Sequence, residues 1–305
     1  MLKYYLMLLI ATILLAGNFA VTKLYQKKAG TSLQAGFLFN ILGGLCTFFF
    51  FVAANGFRIH FSFYSLLMAF LFSLMLVSYT ILGFRILKNG SMALYTLFLM
   101  TGGMTVPFVW GLFFLDEPFS WLRLVGLCLL IFTVALTAFD GKQSKIAPST
   151  ILMCGIIFFL NGFTSIFSKM HQIEQNFETV NTTEFVALTG LMKFILSAIA
   201  YLVILLLEKK KAKADPTQPN PSFKPAIKTG TLIAIIVSST VLSGISYFFQ
   251  LVGASNLPAT VNYPMITGGS TLFSALVGIF VFKEKPSKVV ILSVFLCLIG
   301  TLMFL

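Results

Sequence analysis

Charge is scarce in this sequence. Only 10% of its 305 residues are Asp, Glu, Lys or Arg, where a soluble domain carries about a quarter. The chain is 58% hydrophobic with a mean hydropathy of +0.97. Such a composition excludes a monomeric water-soluble domain and makes the bilayer the solvent. Acids are rarer still, 9 against 21 Lys and Arg, for a formal net charge of +12. The basic residues sit in short gaps between apolar runs, as in loops facing anionic lipid, so nucleic acid is not the expected partner. Cysteine is limited to Cys46, Cys128, Cys154 and Cys297. Each lies inside an apolar run with no CxxC, which argues against both a metal site and a disulfide. No cofactor is implied. HExxH, GxSxG, a mid-span carboxylate pair and a His–Cys cluster are all missing, which speaks against a membrane enzyme. A repeated filter or charged ring, expected of a channel, is missing too. The apolar stretch 4–22 lacks a small-residue cleavage site and reads as a retained first span.

What the sequence does have is apolar runs of about 20 residues, the length that crosses a bilayer. They fall near 3–24, 32–54, 62–86, 91–115, 120–139, 149–170, 182–207, 229–253, 258–282 and 287–305. The gaps carry turn or charge signals such as "KNGS", "DEPFS", "SNLP" and "KEKPS". One gap, 208–228, is long, basic and Pro-rich and reads as a loop. Sixteen basic residues fall on the side of the odd-numbered loops, and Lys3, Arg58, Arg123 and Lys169 fall on the other. That bias places both termini outside the cytoplasm.

The sequence also repeats itself. "TGGMTVPFVWGLFFLDEP" begins at Thr101 and "TGGSTLFSALVGIFVFKEKP" at Thr267. Aligning them brings Glu117 onto Glu284. Earlier, "NFAVTKLYQ" (18–26) resembles "TSIFSKMHQ" (164–172), which brings Lys23 onto Lys169. The expected fold is all-α, ten transmembrane helices forming two five-helix units, 1–140 and 141–305, around a central cavity. Because five is odd, the second unit enters the membrane from the opposite side, an inverted repeat characteristic of secondary transporters.

Ten spans in two halves, "GNFAVTK" in the first span and an "E-P" at the fourth-to-fifth junction of each half resemble the drug/metabolite transporter superfamily, EamA type. The resemblance covers nearly the whole chain. It implies a multi-pass carrier in the cell membrane, with a cavity between the halves and substrates that include amino acids and other small metabolites. Export of amino acids or related small anionic or zwitterionic compounds is the first expectation. Nucleotide-sugar transport and multidrug efflux are the alternatives. The resemblance implies cytoplasmic termini, against the charge bias. A monomer or a homodimer would serve, since ten spans suffice for one pathway.

Lys193, mid-span in "ALTGLMKFILSAIAYLVILLL", is the most informative residue. A charge there costs several kcal/mol, about 3 on insertion scales, and therefore faces a cavity or a partner. Family members are similar in placing a basic residue in the second helix of a half, and its counterpart in the first half is expected near Asn40. Asn18, Tyr79, Tyr95, Asn161, Tyr247, Gln250, Asn262 and Tyr263 are the polar and aromatic candidates for a pathway. Thr101, Gly102, Gly103 and Pro107, with Thr267, Gly268, Gly269 and Pro264, mark segments able to kink and gate. Lys23 and Lys169 read as interfacial snorkelling residues. Glu117 and Glu284 read as caps of the last helix in each half. No carboxylate lies at the centre of any span, which argues against proton-coupled export of cations. His60 and His171 fall near membrane surfaces and are not expected to relay protons.

Overall fold

The structure of the chain, a computed structural model, describes residues 1–30, 32–88, 92–139, 148–214, 229–283 and 287–305. Among them it is all-helical. The order is α1 (Leu2–Ala29), α2 (Leu33–Ala54), α3 (Phe63–Lys88), α4 (Met92–Phe114), α5 (Trp121–Phe139), α6 (Pro148–Ile173), α7 (Thr182–Ala214), α8 (Thr229–Asn256), α9 (Ala259–Phe280) and α10 (Lys288–Leu302). Each apolar run of the sequence coincides with one helix. Eight are long and apolar enough to cross a membrane; the described apolar parts of α5 and α10 are shorter. The 208–228 gap is not all loop, because α7 continues to Ala214. Its Lys and Ala residues are good helix formers, and no breaker precedes Pro216. Residues 215–228, the unit boundary at 140–141 and Glu284 lie outside the described residues.

Local chemistry sets the ends. The Ser32 hydroxyl accepts from Ala35 N at 3.2 Å, and the Ser287 hydroxyl from Val290 N at 3.1 Å. Asn181 and Glu184 form a capping box at the start of α7. Glu184 N donates to Asn181 Oδ1 at 2.9 Å, and Asn181 N donates to Glu184 Oε2 at 3.2 Å. Gly30 ends α1 at φ 86, a left-handed value that suits glycine. Asp116 and Lys283 also adopt positive φ, 49 and 53, just past the ends of α4 and α9. Each immediately precedes one member of the aligned Glu117 and Glu284 pair.

Packing follows a pattern. The main helix pairs are α1 with α8, α3 with α6, α4 with α6, α1 with α9, α3 with α7 and α2 with α8, together with α2–α7, α4–α9 and α5–α10. Exchanging each helix of the first five with the one five places later leaves this set of pairs unchanged and turns α4–α5 into α9–α10, whereas α6–α8 has no comparable α1–α3 counterpart among the described residues. At the α2–α7 crossing, a methyl added to Gly44 would lie 2.7 Å from Gly190 O, and one added to Gly190 would lie 2.9 Å from Gly44 O. These two glycines stand 146 positions apart, as Lys23 and Lys169 do. Small residues here let two backbones meet directly.

Apolar side chains point outward on most helices, including Leu6, Phe49, Phe132, Phe159, Leu202 and Phe295. Water would oppose that exposure, whereas lipid tails accept it. Inside, one cluster joins α1, α4, α5, α9 and α10 around Met104, Phe108, Leu130 and Phe304. Another joins α2, α3, α7 and α8 around Phe51, Phe185, Leu188 and Leu251.

Candidate substrate cavity

A cavity of about 390 Å³ opens between the helices, with walls from α1, α2, α3, α4, α6, α7, α8 and α9. Lys193 reaches it from α7 and is the one charged side chain among the described lining residues. Its space comes from glycine: the position a methyl would take on Gly43 lies 3.9 Å from Lys193 Nζ. The ammonium makes no hydrogen bond or ion pair with any described residue. A mid-span cation left without a partner costs free energy unless something in the cavity balances it.

Seven of the polar candidates line the same space: Asn18, Tyr79, Asn161, Tyr247, Gln250, Tyr263 and Lys193 itself. Several also tie helices together. Tyr263 O–H donates to Ser165 O at 2.6 Å, and Tyr247 shares a hydrogen bond with Ser168 at 2.8 Å. Asn161 Nδ2 donates to Leu99 O at 2.7 Å, and its Oδ1 has no donor among the described residues. Asn18 Oδ1 accepts from Ser239 at 2.5 Å. Pro107 has no N–H, so the carbonyl four residues back, Gly103 O, loses its helical donor. The Ser165 hydroxyl donates to that carbonyl at 3.4 Å.

Three polar candidates lie elsewhere, each because its helix turns it away. Asn40 is buried on α2 but off the cavity wall. Thr47 takes the lining position on that helix and stands 146 residues before Lys193. Tyr95 packs on Gly83 and joins Ile86 and Ile157 in a separate cluster. Asn262 is fully buried against Gly253 of α8, and both its amide atoms lack partners among the described residues. Among the gating candidates, Gly103 and Thr267 line the cavity. Gly102 instead meets the Phe158 backbone of α6, Gly268 meets Leu130 and Thr301, and Gly269 meets Thr12. The Thr101 hydroxyl donates back to Leu97 O of its own helix at 2.7 Å. Pro107 and Pro264 sit inside α4 and α9, off the wall. Thr47, Ser165, Ser168, Thr189, Ser243 and Phe72 were not singled out in the sequence. For Thr47 the repeat offset was the available signal; small hydroxyls in apolar helices carry none.

At one end of the bundle, side chains bond to the ends of neighbouring helices. Glu117 does not cap its own following helix. Its carboxylate accepts from Ala259 N at 2.5 Å and Thr260 N at 2.8 Å, at the start of α9. Lys169 does not snorkel. It is buried, and its ammonium donates to Ala254 O at 2.6 Å and Leu257 O at 2.8 Å, at the end of α8. At the opposite end of α9, Lys23 is exposed and lies 4.9 Å over the Phe282 ring. Glu184, buried at the start of α7, accepts from the Asn55 side chain at 3.1 Å and from His60 N at 3.2 Å, and pairs with His60 Nδ1 at 2.7 Å. His171 is buried, stacks on Phe185 at 3.6 Å between ring centroids and shares a hydrogen bond with Ser65 at 2.9 Å. Ser65 Oγ also accepts from Val180 N at 3.0 Å. Ser65→Ala leaves both groups buried without that partner. It is expected to cost about 1–3 kcal/mol, read as a lowered thermal unfolding midpoint in detergent.

The model of the EamA-like transporter family matches residues 148–305. A crystal structure of a protein 15% identical in sequence superposes with a TM-score of 0.73, covering 99% of this chain and 96% of that one, a likeness of fold. No curated protein matches the chain.

Proposed function

The chain belongs to the EamA-like transporter family, hence is a multi-pass membrane protein that moves small molecules across a lipid bilayer, and from that premise we propose that it works by alternating access between two inverted five-helix halves, 1–140 and 141–305. Three observations support the inverted halves. The main helix pairs, α6–α8 apart, are unchanged by the five-place exchange. Gly44 and Gly190 meet at the α2–α7 crossing. Asp116 and Lys283 adopt the same left-handed conformation. A twofold axis in the membrane plane relating equal halves lets one bundle rock against the other around a fixed site.

The proposed cargo is an amino acid or a related small anionic or zwitterionic metabolite, moved outward across the cell membrane. The Lys193 ammonium in the cavity, without a partner among the described residues, is the observation that carries this reading. A single lysine balances one negative charge, which disfavours the diphosphate of a nucleotide sugar. With no carboxylate among the described lining residues, cationic drugs lack a counter-charge. One chain supplies a complete pathway, so a monomer is sufficient.

Counterflow tests the carrier. Proteoliposomes preloaded with unlabelled substrate are expected to accumulate labelled substrate faster than empty ones. Uptake indifferent to preloading would point to a channel and overturn alternating access.

A further inference from the structure

We infer that the cavity selects a species of net charge −1, a monocarboxylate with an uncharged apolar or aromatic body, over the zwitterionic amino acid of the same shape. This rests on the reading of the cavity as the substrate site and narrows the proposed cargo, amino acids and related small anions or zwitterions, to the anions alone.

Charge balance separates the two ligands. Lys193 contributes one positive charge to the described wall, and no Asp or Glu there opposes it. Among the described residues the ammonium has no hydrogen-bond or ion-pair partner. A bound monoanion brings the site to neutrality and supplies the missing partner in a medium of low dielectric, where a paired charge is far better than a single one. A zwitterion also offers a carboxylate, but its ammonium is a second cation beside the first. The groups able to receive it are neutral, chiefly the Oδ1 of Asn161 and the carbonyl of Gln250, whose Nε2 donates to Ser246. Neutral acceptors suit a hydroxyl or amide on the substrate. They do not remove the repulsion between two ammonium groups sharing one small cavity.

The rest of the wall fits an uncharged body. Phe72 and Tyr247 stack at 5.2 Å between centroids, and Phe19, Tyr79 and Ile266 complete an apolar surface. A ring or short alkyl chain buries apolar area there, while the carboxylate meets Lys193.

The test uses purified full-length protein in detergent and four probes of one size: 3-phenylpropanoate, phenylalanine, 3-phenylpropanamide and phenethylamine. Thermal stabilisation is measured against concentration, since ligand binding to the folded state raises the midpoint by mass action. 3-Phenylpropanoate is expected to reach half-effect at a concentration at least tenfold lower than phenylalanine. The amide and the amine are expected to leave the midpoint unchanged. The amide also controls for nonspecific action of the ring. In Lys193→Gln the advantage of the carboxylate over the amide should disappear. The ranking in the unaltered protein decides the question even if that variant folds poorly. Equal stabilisation by phenylalanine and 3-phenylpropanoate overturns the charge selection and leaves the carrier reading standing. Stabilisation by none of the four overturns the inferred substrate class. Counterflow with another substrate would still support the carrier, whereas its absence with every substrate would sink that reading instead.

Discussion

Gly44→Leu is expected to prevent stable assembly of the bundle, and Gly44→Ala to lower its stability by about 3 kcal/mol, the upper range for overpacking. The neighbours are the reason. A methyl on Gly44 would lie 2.7 Å from Gly190 O and 2.7 Å from Phe194 N. Both are backbone atoms, so no side-chain rotation relieves the clash. The two helices must separate, and interiors packed at crystal density transmit such a shift. α2 also carries Thr47, and α7 carries Gly190 and Lys193 onto the cavity wall, so the displacement also widens the site. Gly155→Ala is the matched control. Nothing lies within 4 Å of the added methyl there, and Ala is the better helix former by about 1 kcal/mol. Its unfolding midpoint should therefore hold or rise. A Gly44→Leu protein as stable as Gly155→Ala would mean that the α2–α7 crossing has slack these distances deny.

The positions of the helices were legible because membrane spans are set by length and apolarity, both local properties. The candidate site was legible where one residue type could not be ordinary. Lys193 stands out because no helix places a charge mid-span without cause. Asn40, Tyr95 and Asn262 show where composition runs out: a polar residue in an apolar run has the right chemistry, but a turn of about 100° per residue decides whether it faces the cavity or a neighbour. The repeat could have corrected one of these, since the offset that aligns Lys23 with Lys169 leads from Lys193 to Thr47. Glu117 was read as a cap from its own sequence neighbourhood. Its partners lie 142 and 143 residues away, and only the folded chain brings them together.

Lys169 and Glu117 face the two ends of one short turn. α8 ends at Asn256 with its carbonyls unsatisfied, and α9 begins at Ala259 with its amides unsatisfied. The macrodipoles put partial negative charge at the first and partial positive charge at the second. Lys169 meets the carbonyls and Glu117 meets the amides, and the two opposite charges also attract each other. Lys169→Met strips two donors from buried carbonyls and leaves Glu117 without its counter-charge. The expected cost is about 3 kcal/mol, from the loss of two charge-assisted hydrogen bonds to buried carbonyls. Glu117→Gln keeps one acceptor oxygen for two amides and should cost roughly half as much, near 1.5–3 kcal/mol for one charged hydrogen bond. Glu117→Leu, isolated and combined with Lys169→Met, completes the double-mutant cycle. Because each charge is stranded by loss of the other, the combined loss should fall short of the sum of the single losses by about 1 kcal/mol or more. Unfolding of the three variants in denaturant measures it. Losses that add to within about 0.5 kcal/mol would make the two residues independent caps and remove the case for a coupled clamp on the α8–α9 turn.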